Sequence, residues 1–556
     1  MMRGLVLSGL LSCAFAFSAA AADIDDARLK AAGSDPANWI THGRDLAATR
    51  FAPSKQITTE NVKSLRPAFI YQTGTAATFQ TTPLVADGIM YVSAPFSHVM
   101  AVNAATGREI WRYQHTSKAK KLCCGPANRG VALGYGKVYV ATVDARLVAL
   151  DQSNGKVIWD IQMADTNADA TEDKAALDAT DPALKGKVSG STGVGAASAP
   201  LVIDGKVIAG ITGVGYGLHL DSDRPGAPLG TVVGVAGRYG RPGFIAAFDA
   251  ETGERVWQFD TTQKGWEGAF SQNTVYGVPL PRDIAAEKAA MTTYADAWKF
   301  GGGSIWHSPS VDLDLGLLYF GVGNPSPQAA GESRPGDNLY TSSLVAIDLK
   351  TAKLGWYFVH DRRDGTLLLK SDAYVPQENM FKAPTRDGVV IWPGVAGGSN
   401  WSPAAVDQLN GLAFVAAMHM PTRYQSAELL AVDGKPPVTY YTFEPAKNVP
   451  TWGTLSAIDL KTGALRWQQK TDEPLIGGTL ATAGGLVFNG EGNGDFSAFD
   501  AKTGARLWTF HCGAGVNAPP ISYEIAGKQY IAVAAGGSQI WGFRQGGAVV
   551  VFALPD

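Results

Sequence analysis

The sequence predicts an all-β fold, a β-propeller of about eight four-stranded blades forming one domain, and three observations carry that expectation. A ten-residue signature recurs six times along the chain. Two intervals between neighbouring signature tryptophans are 48 residues (Trp111 to Trp159) and 41 residues (Trp467 to Trp508), the period of one propeller blade. The composition is turn-dense, with 65 glycines in 556 residues and 17% charged residues, as befits many short strands around a large interior.

The signature is an apolar residue, Asp or Asn, two variable residues, Thr or Asn, Gly, and a Trp four positions on. It occupies 102–111, 150–159, 248–257, 458–467 and 499–508; 347–356 is a weaker copy with Ala352 for the glycine. The acidic or amide side chain opens a tight turn, glycine takes its left-handed position, and a strand follows. The tryptophan then caps the packing between units. Intervals of 98, 99 and 111 residues separate the remaining tryptophans, room for two blades each with one signature lost, which brings the count to about eight.

Three stretches break the rhythm: 164–189 is polar and acidic, 218–241 is rich in Gly, Pro and Asp, and 283–299 has helical composition. On one face of a disc they would shape access to the channel mouth; as tolerated surface insertions they would do nothing.

Residues 1–22 resemble a secretory signal, with Arg3, an apolar run over 5–17, and Ala20-Ala21-Ala22 before Asp23. A lipoprotein reading ending at Cys13 has a short apolar stretch. The propeller domain is expected over 23–556, in an oxidising compartment. No later run is long and apolar enough to span a bilayer. A formal charge of -3 argues against nucleic acid or an anionic membrane as partner.

Three cysteines would remain: adjacent Cys123 and Cys124, and Cys512. Neighbouring Cα atoms lie about 3.8 Å apart, below the roughly 4.4 Å of ordinary disulfides. Oxidation of the adjacent pair would close a strained eight-membered ring and leave Cys512 free. The alternative is two thiols that happen to be neighbours.

The motifs Trp39-Ile-Thr-His-Gly-Arg44, Cys123-Cys-Gly-Pro-Ala-Asn-Arg-Gly130, Gly301-Gly-Gly-Ser-Ile-Trp306, Gly321-Val-Gly-Asn-Pro325, Arg334-Pro-Gly-Asp-Asn338, Gly398-Ser-Asn-Trp401 and Gly515-Val-Asn-Ala-Pro-Pro520 resemble those of the periplasmic pyrroloquinoline quinone (PQQ)-dependent alcohol dehydrogenases, related to the methanol dehydrogenase large subunit. The resemblance runs from about Asn38 to the C-terminus. It implies a quinone held between the Cys123–Cys124 ring and the Trp306 indole, a sensible sandwich for a flat conjugated ring; Trp306 could otherwise be one more blade-capping aromatic. It further implies Arg129 against the quinone's oxygens, Gln80 and Asn400 at its rim, and Thr212 and Gly213 near another contact. Family members hold calcium or a lanthanide with a Glu, an Asn and an Asp, and that Asp takes the alcohol proton. Asn324 matches the Asn. Asp364 is the best match to the Asp, as base and metal ligand, with Asp361 second and flanking arginines as an alternative explanation of both.

The chain departs from the family at the Glu, which aligns with Gly215 or, with the insertion placed earlier, Arg238. Thr366 stands where lanthanide-using members carry a further Asp. A calcium site is therefore expected to be weak, and Arg238 or Arg363 is a candidate to polarise the quinone instead. The chain has no Cys-x-x-Cys-His for covalent haem, so electrons would leave to a separate acceptor, by family analogy a soluble cytochrome c. The rival class is a quinone-binding or scaffold propeller without dehydrogenase activity. A nicotinamide enzyme is disfavoured, because Gly490-Glu-Gly-Asn-Gly494 sits in a β repeat rather than a strand–loop–helix.

Overall fold

The structure is a computed structural model describing residues 23–120, 122, 125–167, 188–189, 193–215, 219–220, 232–235, 237–238, 240–274, 277–328, 330–352, 354–355, 370–429 and 438–556. The signal-like segment 1–22, Cys123, Cys124, Asp361, Arg363, Asp364 and Thr366 lie outside the described residues.

Seven four-stranded antiparallel sheets follow one another along the described chain, and we number them as blades. Blade 1 runs from Leu84–Ala86 to Glu109–Tyr113, blade 2 from Ala132–Gly134 to Val157–Gln162, and blade 3 from Leu201–Ile203 to Arg255–Asp260. Blade 4 runs from Ser310–Asp312 to Leu354–Gly355 and blade 5 from Ala405–Asp407 to Leu465–Thr471. Blade 6 runs from Leu480–Thr482 to Arg506–His511, with Phe51–Ala52 added in parallel to its first strand. Blade 7 joins both ends of the described chain: Ile521–Ile525, Lys528–Ala535 and Gly546–Ala553 are completed by Arg66–Ala77. First strands such as Leu84–Ala86 and Leu480–Thr482 are buried throughout, whereas last strands such as Val157–Gln162 are largely exposed. That gradient follows from packing sheets face to face around an axis, where only the outermost strand meets water.

The signature works as a dock between blades. Asp249 Oδ1 accepts from the backbone N–H groups of Glu251 (3.0 Å) and Thr252 (2.8 Å), and Gly253 closes the turn at φ +76°. Trp159 of the preceding blade donates its indole N–H to Ala250 O (3.3 Å), and a Cβ on Gly253 would strike its ring. The same arrangement joins Trp111 to Gln152 O (3.1 Å) over Gly155 and Trp467 to Ala501 O (3.0 Å) over Gly504. Trp508 reaches Leu65 O (3.0 Å), and Phe69 covers Gly107, which carries the junction from blade 7 to blade 1. Glycine is thus required twice over, for its positive φ and for the bare surface on which the indole lies.

Among the described residues each long interval holds one of these seven sheets together with inserted structure. The insertion at 283–299 contains the helix Ile284–Tyr294, capped by Asp283 accepting from Ala286 N at 3.0 Å. In blade 5 the central hairpin continues past its sheet: Thr422–Leu429 follows Leu412–His419, and Val438–Pro445 leads back into Trp452–Asp459. This arm gains Val389–Ile391 and Val232–Val235 as edge strands, making an eighth four-stranded sheet from distant segments.

Candidate active site

In an up-and-down sheet, the residue entering the first strand and the residue leaving the second lie at the same edge. Gln80, Arg129, Trp306 and Asn400 precede the first strands of blades 1, 2, 4 and 5; Thr212, Gly213 and Asn324 follow the second strands of blades 3 and 4. All seven therefore share one face of the disc, with the signature turns on the other. The arm and the described ends of the insertions belong to the site's face by the same topology.

Trp306 organises the centre. Its indole edge lies against Gly323, where a side chain would collide with it, and its ring packs on the apolar cluster of Ala396, Trp401, Met418 and Ile476. Arg129 donates from Nη1 to Trp306 O (2.9 Å), and its guanidinium carbon stands 4.9 Å from the Trp401 ring centroid. The Arg129 backbone is fixed on both sides, its N–H on Ala197 O (2.9 Å) and its carbonyl on Thr82 N (3.0 Å). Thr212 exchanges both backbone hydrogen bonds with Gly195, and Gly213 turns away at φ +84°.

Two histidines that the sequence did not single out belong here. His307 Nε2 donates to Asn400 O at 2.9 Å, and Asn400 Nδ2 donates to Ala396 O at 2.9 Å. Burial, with Arg129 nearby, lowers the His307 pKa despite that bond. His42 is pushed down to about 3 by burial, reinforced by Arg50, Arg129 and His307. Both residues are half-buried. The signal for His307 was its place directly after Trp306; His42 sits in a motif noted only as a whole.

Several polar atoms are buried without a partner: Gln80 Oε1, Trp306 Nε1, and both carboxamide atoms of Asn517. Asn517 is fully buried. Burying such groups unpaired costs roughly 1–3 kcal/mol each, so they suit a ligand or water that supplies the missing bonds. Arg129 and Trp306 are joined by a hydrogen bond, and Gln80 precedes its strand on the same face.

Among the described residues the metal pattern is incomplete. A Cβ built on Gly215 would lie 3.4 Å from Asn324 O and 4.0 Å from Gln328 Nε2, so Gly215 stands beside Asn324 and brings no carboxylate. Arg238 is instead paired with Asp296 (2.9 Å) and Thr293 O (2.7 Å) beside the helix Ile284–Tyr294, which removes it as the residue polarising a quinone. Asn324 opens onto a cleft of about 90 Å³ with Gln328, Val395, Tyr424, Tyr441, Thr442 and Phe443, all neutral. Among the described residues no three His, Cys, Asp or Glu side chains gather as a metal site. Cys512 is free, and burial pushes its thiol up to about 12.

The family model described as the PQQ glucose/ethanol/alcohol dehydrogenase β-propeller domain matches residues 39–365 and 368–531. The chain belongs to this quinoprotein family. It is 33% identical to the quinohemoprotein alcohol dehydrogenase ADH IIB of Pseudomonas putida, over 98% of this chain and 79% of that one. It is 28% identical to the quinoprotein alcohol dehydrogenase PedH of Pseudomonas putida, over 99% of this chain and 96% of that one. The crystal structure of the quinohemoprotein alcohol dehydrogenase from Comamonas testosteroni superposes with a TM-score of 0.73 at 29% identity, covering 95% of this chain and 82% of that chain. No helix among the described residues is long and apolar enough to cross a membrane.

Proposed function

We propose that the protein is a PQQ-dependent alcohol dehydrogenase that oxidises an alcohol to an aldehyde or ketone after export to the periplasm, and passes the electrons to a separate acceptor of the soluble cytochrome c type. The observation that carries this reading is the convergence of Arg129, Trp306 and Asn400 from three blades within a chain whose family is quinone-dependent. Trp306 would form one face of the cofactor slot and the Cys123–Cys124 pair, oxidised, the other. Arg129 would counter the cofactor's negative charge; Gln80, Thr212, Gly213 and Asn400 would line its rim. When bound, PQQ supplies the two-electron acceptor that the alcohol's C–H bond requires.

The chain's own contribution is proton handling and exclusion of water. Asp364, or Asp361 in its place, would take the hydroxyl proton, which leaves the substrate oxygen free to become a carbonyl. Tyr424, Tyr441, Thr442 and Phe443 of the blade 5 arm line the same cleft as Asn324. Calcium is the weakest part of the family pattern here, since Gly215 leaves Asn324 with neutral described neighbours; no step is assigned to it.

The test is reconstitution of purified protein with PQQ, followed by dye reduction across alcohol, polyol and aldehyde panels with and without calcium. Alcohol-dependent turnover supports the proposal. Saturable quinone uptake without turnover on any panel would convert the protein into a quinone-binding module.

A further inference from the structure

The dipeptide Trp306-His307 links two elements that approach the site from opposite sides of blade 4. On one side Arg129 of the loop entering blade 2 donates to Trp306 O at 2.9 Å. On the other, His307 Nε2 donates to Asn400 O at 2.9 Å, in the loop entering blade 5. A carbonyl oxygen cannot donate, so this bond requires the proton on Nε2. The Nδ1 edge faces the blade: a Cβ on Gly321 would lie 3.3 Å from it. Asn400 is in turn tied by its side chain to Ala396 O at 2.9 Å, and Ala396 belongs to the apolar cluster that carries Trp306 and Trp401. The loop is also held to its own blade and the next, through Gly398 O accepting from Met418 N (2.7 Å), Ser399 Oγ donating to Ala416 O (2.7 Å) and Ser402 Oγ donating to Ile476 O (2.6 Å); His307 is the contact that joins it to the segment carrying the indole.

We propose that His307 is a positioning residue: its Nε2–H sets the Asn400 loop against the Trp306 face, and so governs how tightly the quinone is held. The inference rests on the PQQ reading above. A site assembled from separate loops reaches its working geometry only when neighbouring groups lock those loops, and a single hydrogen bond binds Trp306-His307 to Asn400 here. His307 touches no cofactor in this scheme; it acts through Asn400.

The ring nitrogens make the idea testable with two polar variants of the same position. His307→Gln places an amide N–H close to where Nε2 lies, whereas His307→Asn places one near Nδ1 and cannot reach Asn400 O. PQQ affinity is measured from the quenching of tryptophan emission and from quinone absorbance, alongside the thermal midpoint of the apo-protein. We expect the Gln variant to bind PQQ within about threefold of wild type and the Asn variant about tenfold more weakly, the scale of one lost hydrogen bond. The two apo-proteins should melt alike. Equal affinities in the two variants, whether both tight or both weak, overturn the proposal. Wild-type protein that takes up no PQQ removes the functional reading itself and this proposal with it, whereas wild-type uptake with equal variants removes this proposal alone.

Discussion

Trp257 and Ala352 belong to one buried apolar cluster, the Trp257 N–H has no acceptor, and Ala352 holds the position in the blade 4 turn that glycine holds in the other copies. The other described signature tryptophans, at 111, 159, 467 and 508, all donate to a carbonyl across the junction. The Ala352 methyl stands where those indoles lie on bare glycine, and Ala352 sits at φ +55°, in the region that costs a residue with a Cβ about 1–2 kcal/mol.

Ala352→Gly should therefore stabilise the protein, against the usual direction of a glycine substitution. Relief of the left-handed backbone outweighs the extra unfolded-state freedom of glycine, for a net gain of about 1 kcal/mol. Urea unfolding reads it as a higher midpoint at unchanged slope. A lower midpoint would mean that the Ala352 methyl is packing usefully.

Arg129→Lys should preserve the charge and still weaken PQQ binding, by about tenfold or more. A lysine ammonium is a point charge without the planar fork that bonds Trp306 O while lying on the Trp401 ring. Equilibrium titration of apo-protein with PQQ measures the loss. Wild-type affinity in the variant would reduce Arg129 to a generic positive charge.

The signature was legible because turn chemistry and tryptophan docking are local: Asp249, Gly253 and Trp257 lie within one ten-residue window. The arm was not, because pairing of Thr422–Leu429 with Val438–Pro445 depends on the tertiary fold. Trp306 and Arg129 were legible only through resemblance. Their mutual hydrogen bond spans 177 residues, a separation at which a single sequence carries no contact information. His307 and Asn517 escaped for a related reason, since a histidine in a chain with eight, or an asparagine inside a matched motif, gains meaning only from what surrounds it.

Gly215→Glu tests the departed metal site. Gly215 has no positive φ among the described backbone, and a Cβ there meets nothing nearer than Asn324 O at 3.4 Å, so a side chain can be carried beside Asn324. Oxygen donors with negative charge are what a hard cation needs. Metal analysis after dialysis should find little calcium in wild-type protein and close to one equivalent in the variant. A stoichiometric ion in wild-type protein would refute the reading of a weakened site.

Acid stability should bear the mark of the buried histidines. His42 falls to about 3 and His419 to about 4, each through burial. Between those values and an unfolded histidine's roughly 6.5, the unfolded chain binds a proton that the native state refuses. Stability therefore rises with pH across this window and is lost as pH falls from about 6.5, by up to about 1.4 kcal/mol per pH unit for each ring. Glu491, raised by burial, works in the opposite sense in the lower part of the window. Urea midpoints should drop steadily from pH 7 to pH 5, and His42→Gln, which has no proton to refuse, should flatten that slope. A slope unchanged in the variant would place the acid sensitivity elsewhere and leave His42 without the burial cost assigned to it.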